Sequence, residues 1–278
     1  MLLGIDHLVF AVGDLDAATA ELERSLGLAA GGGGRHPAFG TQNRLVWLGD
    51  TYLELVSIAD PNVAEGSWFG SLVAASLEHG DGLVTWAVAS DSLESDVAAL
   101  QAFGSSLGAP TAGERRRDDG SVVRWQVSLP DRLGPGEPPF VIEHDPASAE
   151  WTPADQAARR DEPHPIGGPV RLEVLELPTG NVPATIQRLT RTLGLRFRPS
   201  LAGHGARDAN LGSQIVRLRP APGTRFAAPA APPAATPEAA APAPGTRSAA
   251  PTVRLASPAG DDRIVTAIGC KWVLRRSG

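Results

Sequence analysis

The chain has 278 residues, a net charge of −6 and a hydrophobic fraction of 42%, which is enough apolar material for one large or two modest domains. A pI near 5.5 argues against a broad phosphate-binding surface, so we expect no nucleic-acid partner. Cys270 is the only cysteine, which excludes an intrachain disulfide, and no uncharged apolar run reaches the roughly 18–20 residues that span a bilayer. We therefore expect a cytoplasmic protein without a membrane partner.

The first predicted elements are a strand and a helix. Residues 8–12 read LVFAV, a run typical of a buried strand, and His7 stands at its start. Asp14–Leu28 follows with apolar residues at helical spacing, an acidic start and a Gly stop, which predicts a helix. Leu48–Ser57 then predicts a tight turn and an alternating strand. An imidazole among apolar neighbours needs a partner, so His7 is either a hydrogen-bonded core residue or a ligand.

The same pattern recurs twice along the chain. A second copy consists of the strand at 83–90, the helix at 91–104 and the later strands SVVRWQVSL and PPFVIEHD. In the third copy, the helix Asn181–Leu195 aligns without gaps to Asp14–Leu28, and the strand at 211–220 matches Leu48–Ser57. These copies predict an α+β fold of repeated βαβββ units, with curled mixed β-sheets and helices on the outer face.

The composition divides the chain into segments. Residues 1–150 hold the first two units, and residues 151–168, rich in Pro and charge, are predicted to be a linker. Residues 169–278 hold the diverged third unit and C-terminal strands, which begin or complete a fourth unit without a helix. Residues 221–250 are nearly all Ala and Pro, which predicts a disordered loop because such a segment cannot bury enough apolar surface to fold.

Two stretches resemble a known family. The opening DHLVFAVGDLDAA and the segment RHPAFGTQNRLVWLGDTYLELVSI at 35–58 resemble the vicinal oxygen chelate superfamily, in its glyoxalase-like domain branch (the glyoxalase, bleomycin-resistance and dioxygenase type). The resemblance covers residues 4–145 and is looser beyond 170. It implies that two units pair into a curled sheet, whose concave face holds a divalent metal that chelates two neighbouring substrate oxygens.

The resemblance also implies which residues bind the metal. The family places ligands on the first and last strands of each unit, which assigns His7 and Glu54 in the first unit and Glu143 in the second. Thr85 falls at the fourth ligand position. One imidazole and two carboxylates suit Zn²⁺, Fe²⁺, Mn²⁺ or Ni²⁺. We expect one of these ions as cofactor, with a site that binds no metal as the alternative.

Further candidates for substrate contact lie on the predicted strands and the Gly-rich loop: His36, Thr41, Asn43, Thr85 and Trp125. Loop capping or core packing is the alternative for each of them. Because side chains alternate along a strand, His144 is expected to point away from the face that Glu143 occupies. In the third unit, Glu173 falls near the His7 position and Arg217 falls at the Glu54 position.

Two functions fit these residues. In a metal-dependent enzyme of the lyase, isomerase or dioxygenase type, the metal would polarise a substrate oxygen while Glu54 or Glu143 moves a proton. In a metal-free binding protein of the bleomycin-resistance type, the same cleft would sequester a small molecule, and Thr85 and Arg217 favour this alternative. Either function implies a small-molecule partner, and a homodimer is left open.

Overall fold

The computed structural model describes residues 1–134, 136–222 and 249–277, so most of the predicted Ala/Pro-rich loop at 221–250 lies outside the described residues. The first sheet consists of β1 (Leu2–Ala11), β2 (Gly31–His36), β3 (Thr41–Leu48), β4 (Thr51–Ile58), β5 (Gly82–Ser90), β6 (Thr111–Arg116), β7 (Val122–Ser128) and β8 (Phe140–His144). The second consists of β9 (Arg171–Thr179), β10 (Arg198–Pro199), β11 (Arg207–Leu211), β12 (Gln214–Pro220), β13 (Thr252–Ser257), β14 (Arg263–Ala267) and β15 (Cys270–Arg276). The helices are α1 (Leu15–Leu26), α2 (Pro61–Glu65), α3 (Trp68–Leu77), α4 (Leu93–Ala102), α5 (Pro153–Arg160) and α6 (Val182–Leu193).

The first sheet is a closed barrel with the order β1-β4-β3-β2-β6-β7-β8-β5. In the first unit β1 pairs in parallel with β4, and in the second β5 pairs in parallel with β8. The two units meet where β1 pairs with β5 and β2 pairs with β6. The predicted α+β fold of βαβββ units is therefore confirmed.

The matching helices α1 and α6 begin and end by the same means. Asp14 accepts hydrogen bonds from two backbone N–H groups at the start of α1, and Asn181 does so from one at the start of α6. Gly27 and Gly194 end the helices with φ of 68° and 70°, a left-handed conformation that glycine adopts at low cost. These local signals explain why both helices could be read from the sequence.

The run of four glycines in β2 allows the barrel to close. Strand β2 bridges the two units, since it pairs with β3 on one side and with β6 on the other. A Cβ atom at Gly33 would collide with the Asn43 carbonyl oxygen, and one at Gly34 would collide with that of Arg116. The backbones therefore approach each other at a distance that only glycine permits.

The second sheet repeats the strand order of the barrel but remains open. Its order β10-β11-β12-β9-β13-β15-β14 corresponds to β2-β3-β4-β1-β5-β8-β7. The described residues contain no counterpart of β6 or of α4. In the register, Arg217 pairs with Glu176 as Glu54 pairs with Val9, so Arg217 occupies the position of Glu54, as the repeat predicts.

The equivalent of His7 differs from the expectation. The register that pairs Glu176 with Thr252 and Val174 with Arg254 places Val174 at the His7 position. Glu173 is exposed and lies at a break in the register between β9 and β13. The concave face of the second sheet therefore lacks the imidazole and the carboxylate that the barrel presents.

The two sheets share one hydrophobic core on their helix-covered sides. Phe10 of β1 stacks on Trp272 of β15 with ring centroids 5.5 Å apart. Gln214 of β12 accepts a hydrogen bond from the Ile5 amide at 3.1 Å and donates one to the Thr51 hydroxyl at 3.0 Å. Among the described residues, no helix combines the length and apolar character required to cross a membrane.

Candidate active site

The barrel contains a cavity of about 50 Å³. Its walls are largely aromatic, from Phe39, Tyr52, Phe69, Trp125, Phe140 and Trp151. The polar side chains that line it are His7, His36, Asn43, Glu54, Arg115 and His144. Because one water needs roughly 10–15 Å³, the cavity has room for a few non-hydrogen atoms.

A β-bulge in β1 brings two ionisable neighbours to the same place. Ile5 pairs with Val88 and His7 pairs with Ala87, so Asp6 has no partner in the ladder with β5. An extra residue of this kind breaks the alternation of side chains along a strand. Asp6 and His7 are both buried, and their side chains contact each other instead of pointing to opposite faces.

Asp6 is a carboxylate held by two imidazoles. Its Oδ1 lies 2.6 Å from Nδ1 of His7 and 3.1 Å from Nε2 of His144. Burial alone would raise the pKa of Asp6, but the His144 and His7 rings outweigh burial and lower the pKa below its usual value. An ionised carboxylate only accepts hydrogen bonds. Nδ1 of His7 therefore donates, and in the neutral ring Nε2 carries the lone pair.

The lone pair of His7 faces a second carboxylate, Glu54 on β4. Nε2 of His7 lies 3.6 Å from Glu54 Oε2, and Nε2 of His36 lies 3.7 Å from Oε1. Asn43 donates a hydrogen bond of 2.6 Å to Oε1 and fixes the carboxylate. Since a lone pair and a carboxylate oxygen repel each other, a group that carries a proton or a positive charge is favoured between His7 and Glu54.

His36 of β2 is held in its neutral form. Its Nδ1 lies 3.0 Å from the Thr41 hydroxyl. Burial lowers the pKa of His36 to about 4; Glu54 opposes this change, and the positive charge of Arg115 adds to it. At neutral pH the ring is therefore uncharged, with Nε2 directed towards Glu54.

Arg115 of β6 places a buried positive charge beside the cavity. Its side chain is 4% exposed, and Nη2 donates to the Glu150 carboxylate. Nη1 has no hydrogen-bond partner among the described residues. Glu150 also pairs with Arg117, whose Nε lies 2.9 Å from Oε1, so the negative charge of Glu150 is shared between two guanidinium groups.

The segment predicted to be a linker covers one side of the cavity. The Trp151 ring stacks on His144 with centroids 3.4 Å apart and 7° between planes. Arg159 of α5 lies 4.2 Å from the Trp47 ring centroid and 4.3 Å from that of Trp151, within the range of cation–π contacts. Arg159 also donates to the Glu150 carbonyl oxygen. These contacts hold Trp151 over the site.

The structure contradicts the expected convergence of Glu143 with His7 and Glu54. Oε2 of Glu143 accepts a hydrogen bond of 2.7 Å from the Leu93 amide, at the N-terminus of α4 outside the barrel. On β8 the side chains of Phe140, Ile142 and His144 line the cavity. His144 lies on the face opposite Glu143, as expected, but that face is the one that lines the cavity. In the structure Phe140 pairs with Ala87 as Glu54 pairs with Val9. The alignment of Glu143 with Glu54 is therefore three residues off, and an odd shift exchanges the two faces of a strand.

The other predicted contact residues divide into three groups. His36, Asn43 and Trp125 line the cavity. Thr41 does not line it but holds the His36 ring. Thr85 is fully buried opposite Val9, away from the lining side chains.

The side chains at the cavity do not form the divalent-metal site that the family resemblance implies. Only His7 and Glu54 of the expected set face the cavity, since Glu143 points away and Thr85 does not reach it. Among the described residues, no group of three or more His, Cys, Asp or Glu side chains is placed to hold a metal ion. The side chains as arranged do not fit the expected ion.

Several site residues were not predicted from the sequence: Asp6, Tyr52, Arg115, His144 and Trp151. A signal existed for Asp6, because an acidic residue directly before a histidine is unusual at the start of an apolar strand. Trp151 also contacts Trp47 and Tyr52, which are far from it in the sequence, and no local pattern indicates these contacts.

Comparison with known proteins identifies the family. The model of the glyoxalase-like domain matches residues 5–199. A solved structure of a hypothetical protein from Staphylococcus aureus has a TM-score of 0.74 at 15% identity, covering 100% of both chains, which shows the same fold. No curated protein matches the chain.

Methylmalonyl-CoA epimerases have a more distant likeness. The enzyme from Mycobacterium tuberculosis has a TM-score of 0.40 at 22% identity, over 52% of this chain and 90% of that chain. A Streptomyces coelicolor epimerase variant in complex with 2-nitronate-propionyl-CoA has a TM-score of 0.40 at 19% identity, over 54% of this chain and 99% of that chain. Because the family model spans most of the sequence, the chain belongs to the glyoxalase-like domain family of the vicinal oxygen chelate superfamily.

Proposed function

We propose that the barrel is the active site of an enzyme that moves a proton on a small oxygen-bearing molecule, as lyases and isomerases do. The observation that carries this proposal is the Asp6–His7–Glu54 arrangement. A buried carboxylate orients an imidazole, whose free nitrogen faces a second carboxylate at 3.6 Å inside a cavity.

His7 has the role of proton acceptor. Asp6 fixes the ring through Nδ1, so the Nε2 lone pair is the basic atom presented to the cavity. When Nε2 takes a proton, the ring becomes a cation, and the adjacent Asp6 carboxylate stabilises that charge. A positioned acid–base group of this kind contributes about 10²–10⁴-fold to a rate.

Glu54 supplies a second acid–base group. Asn43 restrains Oε1, and Oε2 remains directed at His7. His7 can take a proton from one atom of the substrate and pass it to Oε2 of Glu54, 3.6 Å away. The protonated Glu54 can then return it to another atom of the substrate, which leaves both groups as they began and completes an isomerisation. The walls of the cavity are largely aromatic, which suits a small molecule.

The test is hydrogen–deuterium exchange at carbon. Pyruvate, lactate and malonate are each incubated with the purified protein in D₂O, and the loss of C–H signal is followed by ¹H NMR. We expect catalysed exchange with at least one acid, and a decrease of about 10²-fold or more for His7→Gln, the scale of a lost general base. His79→Gln is the matched control, because His79 is exposed and outside the barrel.

Two results would contradict the proposal. Exchange by His7→Gln at the rate of the unchanged protein would remove His7 from the chemistry. Metal analysis by mass spectrometry is done on the same protein, and one divalent ion per chain that is lost in His7→Gln would assign His7 to a metal instead.

The second candidate function is sequestration of a small molecule without turnover. The observation that favours it is the aromatic lining, in which Phe39, Tyr52, Trp125 and Trp151 supply more surface than a minimal reaction needs. Saturable binding of a panel member without any exchange would favour sequestration over catalysis.

A further inference from the structure

We propose that Arg115 binds a carboxylate of the substrate, so that the cavity selects small carboxylic acids over neutral molecules. The proposal deepens the function above, because it takes the cavity to be the substrate site. The structure brings to this cavity a guanidinium group whose hydrogen bonds are only partly used.

The position of Arg115 indicates a ligand. Its side chain is 4% exposed and lines the cavity, yet Nη1 has no partner among the described residues. A buried donor without an acceptor is costly. Asn43 Oδ1 and His144 Nδ1 are also buried without partners among these residues and line the same cavity. Three unpaired polar atoms around one cavity are best satisfied by a polar ligand.

The chemistry of Arg115 favours a carboxylate. A guanidinium group is a planar cation with several donors, which match the two oxygens of a carboxylate. Asn43 Oδ1 is an acceptor, so it can receive a proton donor such as a hydroxyl group on the same ligand. A 2-hydroxy acid therefore presents both complementary groups.

The surrounding charges leave Arg115 able to attract an anion. Glu150 is the only carboxylate that the described residues pair with Arg115, and Glu150 also pairs with Arg117 while its carbonyl oxygen accepts from Arg159. The guanidinium groups of Arg115 and Arg117 thus share one carboxylate, and that of Arg159 lies at the backbone carbonyl of the same residue. The cavity, of about 50 Å³, suits a small anion.

The experiment measures binding of three acids and their uncharged amides. Pyruvate, lactate and malonate are compared with pyruvamide, lactamide and malonamide by quenching of tryptophan fluorescence, since Trp125 and Trp151 line the cavity. For Arg115→Gln we expect the affinity for the best-bound acid to fall about 10- to 100-fold, as for a lost charge-assisted hydrogen bond. Affinity for the amides should change by less than about threefold.

The matched control is Arg116→Gln. Arg116 is the next residue on β6, and its side chain is 63% exposed, so this variant removes the same charge from the same strand without altering the cavity. We expect it to bind the acids as the unchanged protein does.

A second variant covers a failure of Arg115→Gln to fold. Glu150→Gln removes the charge that competes for Arg115 while keeping the size of the side chain. It should tighten binding of the acids about three- to tenfold, the magnitude of one nearby opposing charge in a partly screened site. Damage to the fold would weaken binding, so the two effects have opposite signs.

The proposal is overturned if Arg115→Gln binds the acids as tightly as the unchanged protein, if the amides bind as well as the acids, or if none of the acids binds at tens of millimolar. The experiments distinguish a failure of the carboxylate site at Arg115 from a failure of the proposed proton transfer by His7. Binding that depends on Arg115 without carbon exchange would retain the carboxylate site and reject the proton transfer by His7.

Discussion

Acidification should destabilise the protein through His36, and the size of the effect follows from its burial. The pKa of this ring falls from 6.5 to about 4 on folding. The unfolded chain therefore binds a proton more readily than the folded protein does. The stability that the neutral ring provides is complete above about pH 6.5 and is lost as the pH falls towards 4.

The magnitude comes from the difference between the two pKa values. One pKa unit corresponds to 1.36 kcal/mol, so the protonation of His36 alone should lower the free energy of unfolding by about 1 kcal/mol at pH 6, about 2 kcal/mol at pH 5 and about 3 kcal/mol at pH 4. Asp6 contributes in the same direction at lower pH, because its pKa is also lowered. A comparison with a variant separates the two residues.

The assay is urea unfolding between pH 7 and pH 4.5 for the unchanged protein and for His36→Gln. Gln keeps a polar group near Thr41 but does not titrate, so the advantage of the unchanged protein should decrease with pH by the amounts given. The His36 resonance in an NMR titration should have its midpoint near pH 4. A stability difference that does not change with pH, or a His36 midpoint near 6.5, would refute the reasoning.

Three further predictions concern other parts of the chain. Asp6→Asn should slow carbon exchange by about 10²-fold or more, because the amide no longer stabilises the charged His7 ring; an unchanged rate would contradict the role of Asp6. Glu143→Gln should leave exchange unaffected but lower the free energy of unfolding by about 0.5–2 kcal/mol, measured by urea unfolding, through its bond to the Leu93 amide; lost exchange would return Glu143 to the site. Deletion of 223–248 should shift the thermal midpoint by less than about 2 °C, measured by circular dichroism, because long surface loops cost little and their removal gains little; a larger decrease would mean that the segment packs.

The geometry around the deleted segment supports that last expectation. Pro220 pairs with Thr179 and Thr252 pairs with Glu176, so β12 ends and β13 begins near the same end of β9, on its two sides. Two strand spacings amount to roughly 10 Å, and the offset along β9 from Glu176 to Thr179 adds roughly 10 Å at right angles, so the two ends lie roughly 14 Å apart. The five remaining connecting residues, 221–222 and 249–251, can span this distance.

The repeated units could be predicted from the sequence because their signals are local. Asp14 and Asn181 cap helices, Gly27 and Gly194 end them, and the apolar spacing between these residues is helical. His7 and Glu54 were also placed on a common face, and the structure brings them within 3.6 Å. Each of these inferences depends on neighbours that are close in the sequence or on a repeat that can be aligned.

The remainder of the site depends on features that a one-dimensional pattern does not contain. The bulge in β1 turns Asp6 into the barrel, although strict alternation would have excluded it. On β8 an alignment error of three residues, an odd number, placed Glu143 in the cavity instead of His144. The position of Trp151 depends on its stack with His144 and on Arg159, which are tertiary contacts. The sequence therefore predicted the repeated units that build the barrel more reliably than the side chains that line it.

The core shared by the two sheets has a consequence for how substitutions are tolerated. The convex side of the second sheet supports the wall behind His7, through residues such as Trp272 against Phe10, whereas its concave side presents Val174 and Arg217 where the barrel presents a histidine and a carboxylate. Selection for catalysis would then act on only one of the two concave surfaces, and selection for folding on both convex surfaces. In a library of all single substitutions, the convex side of the second sheet should therefore be intolerant throughout. Its concave side should be intolerant only where side chains are buried, as in the ion pair of Arg217 with Asp208.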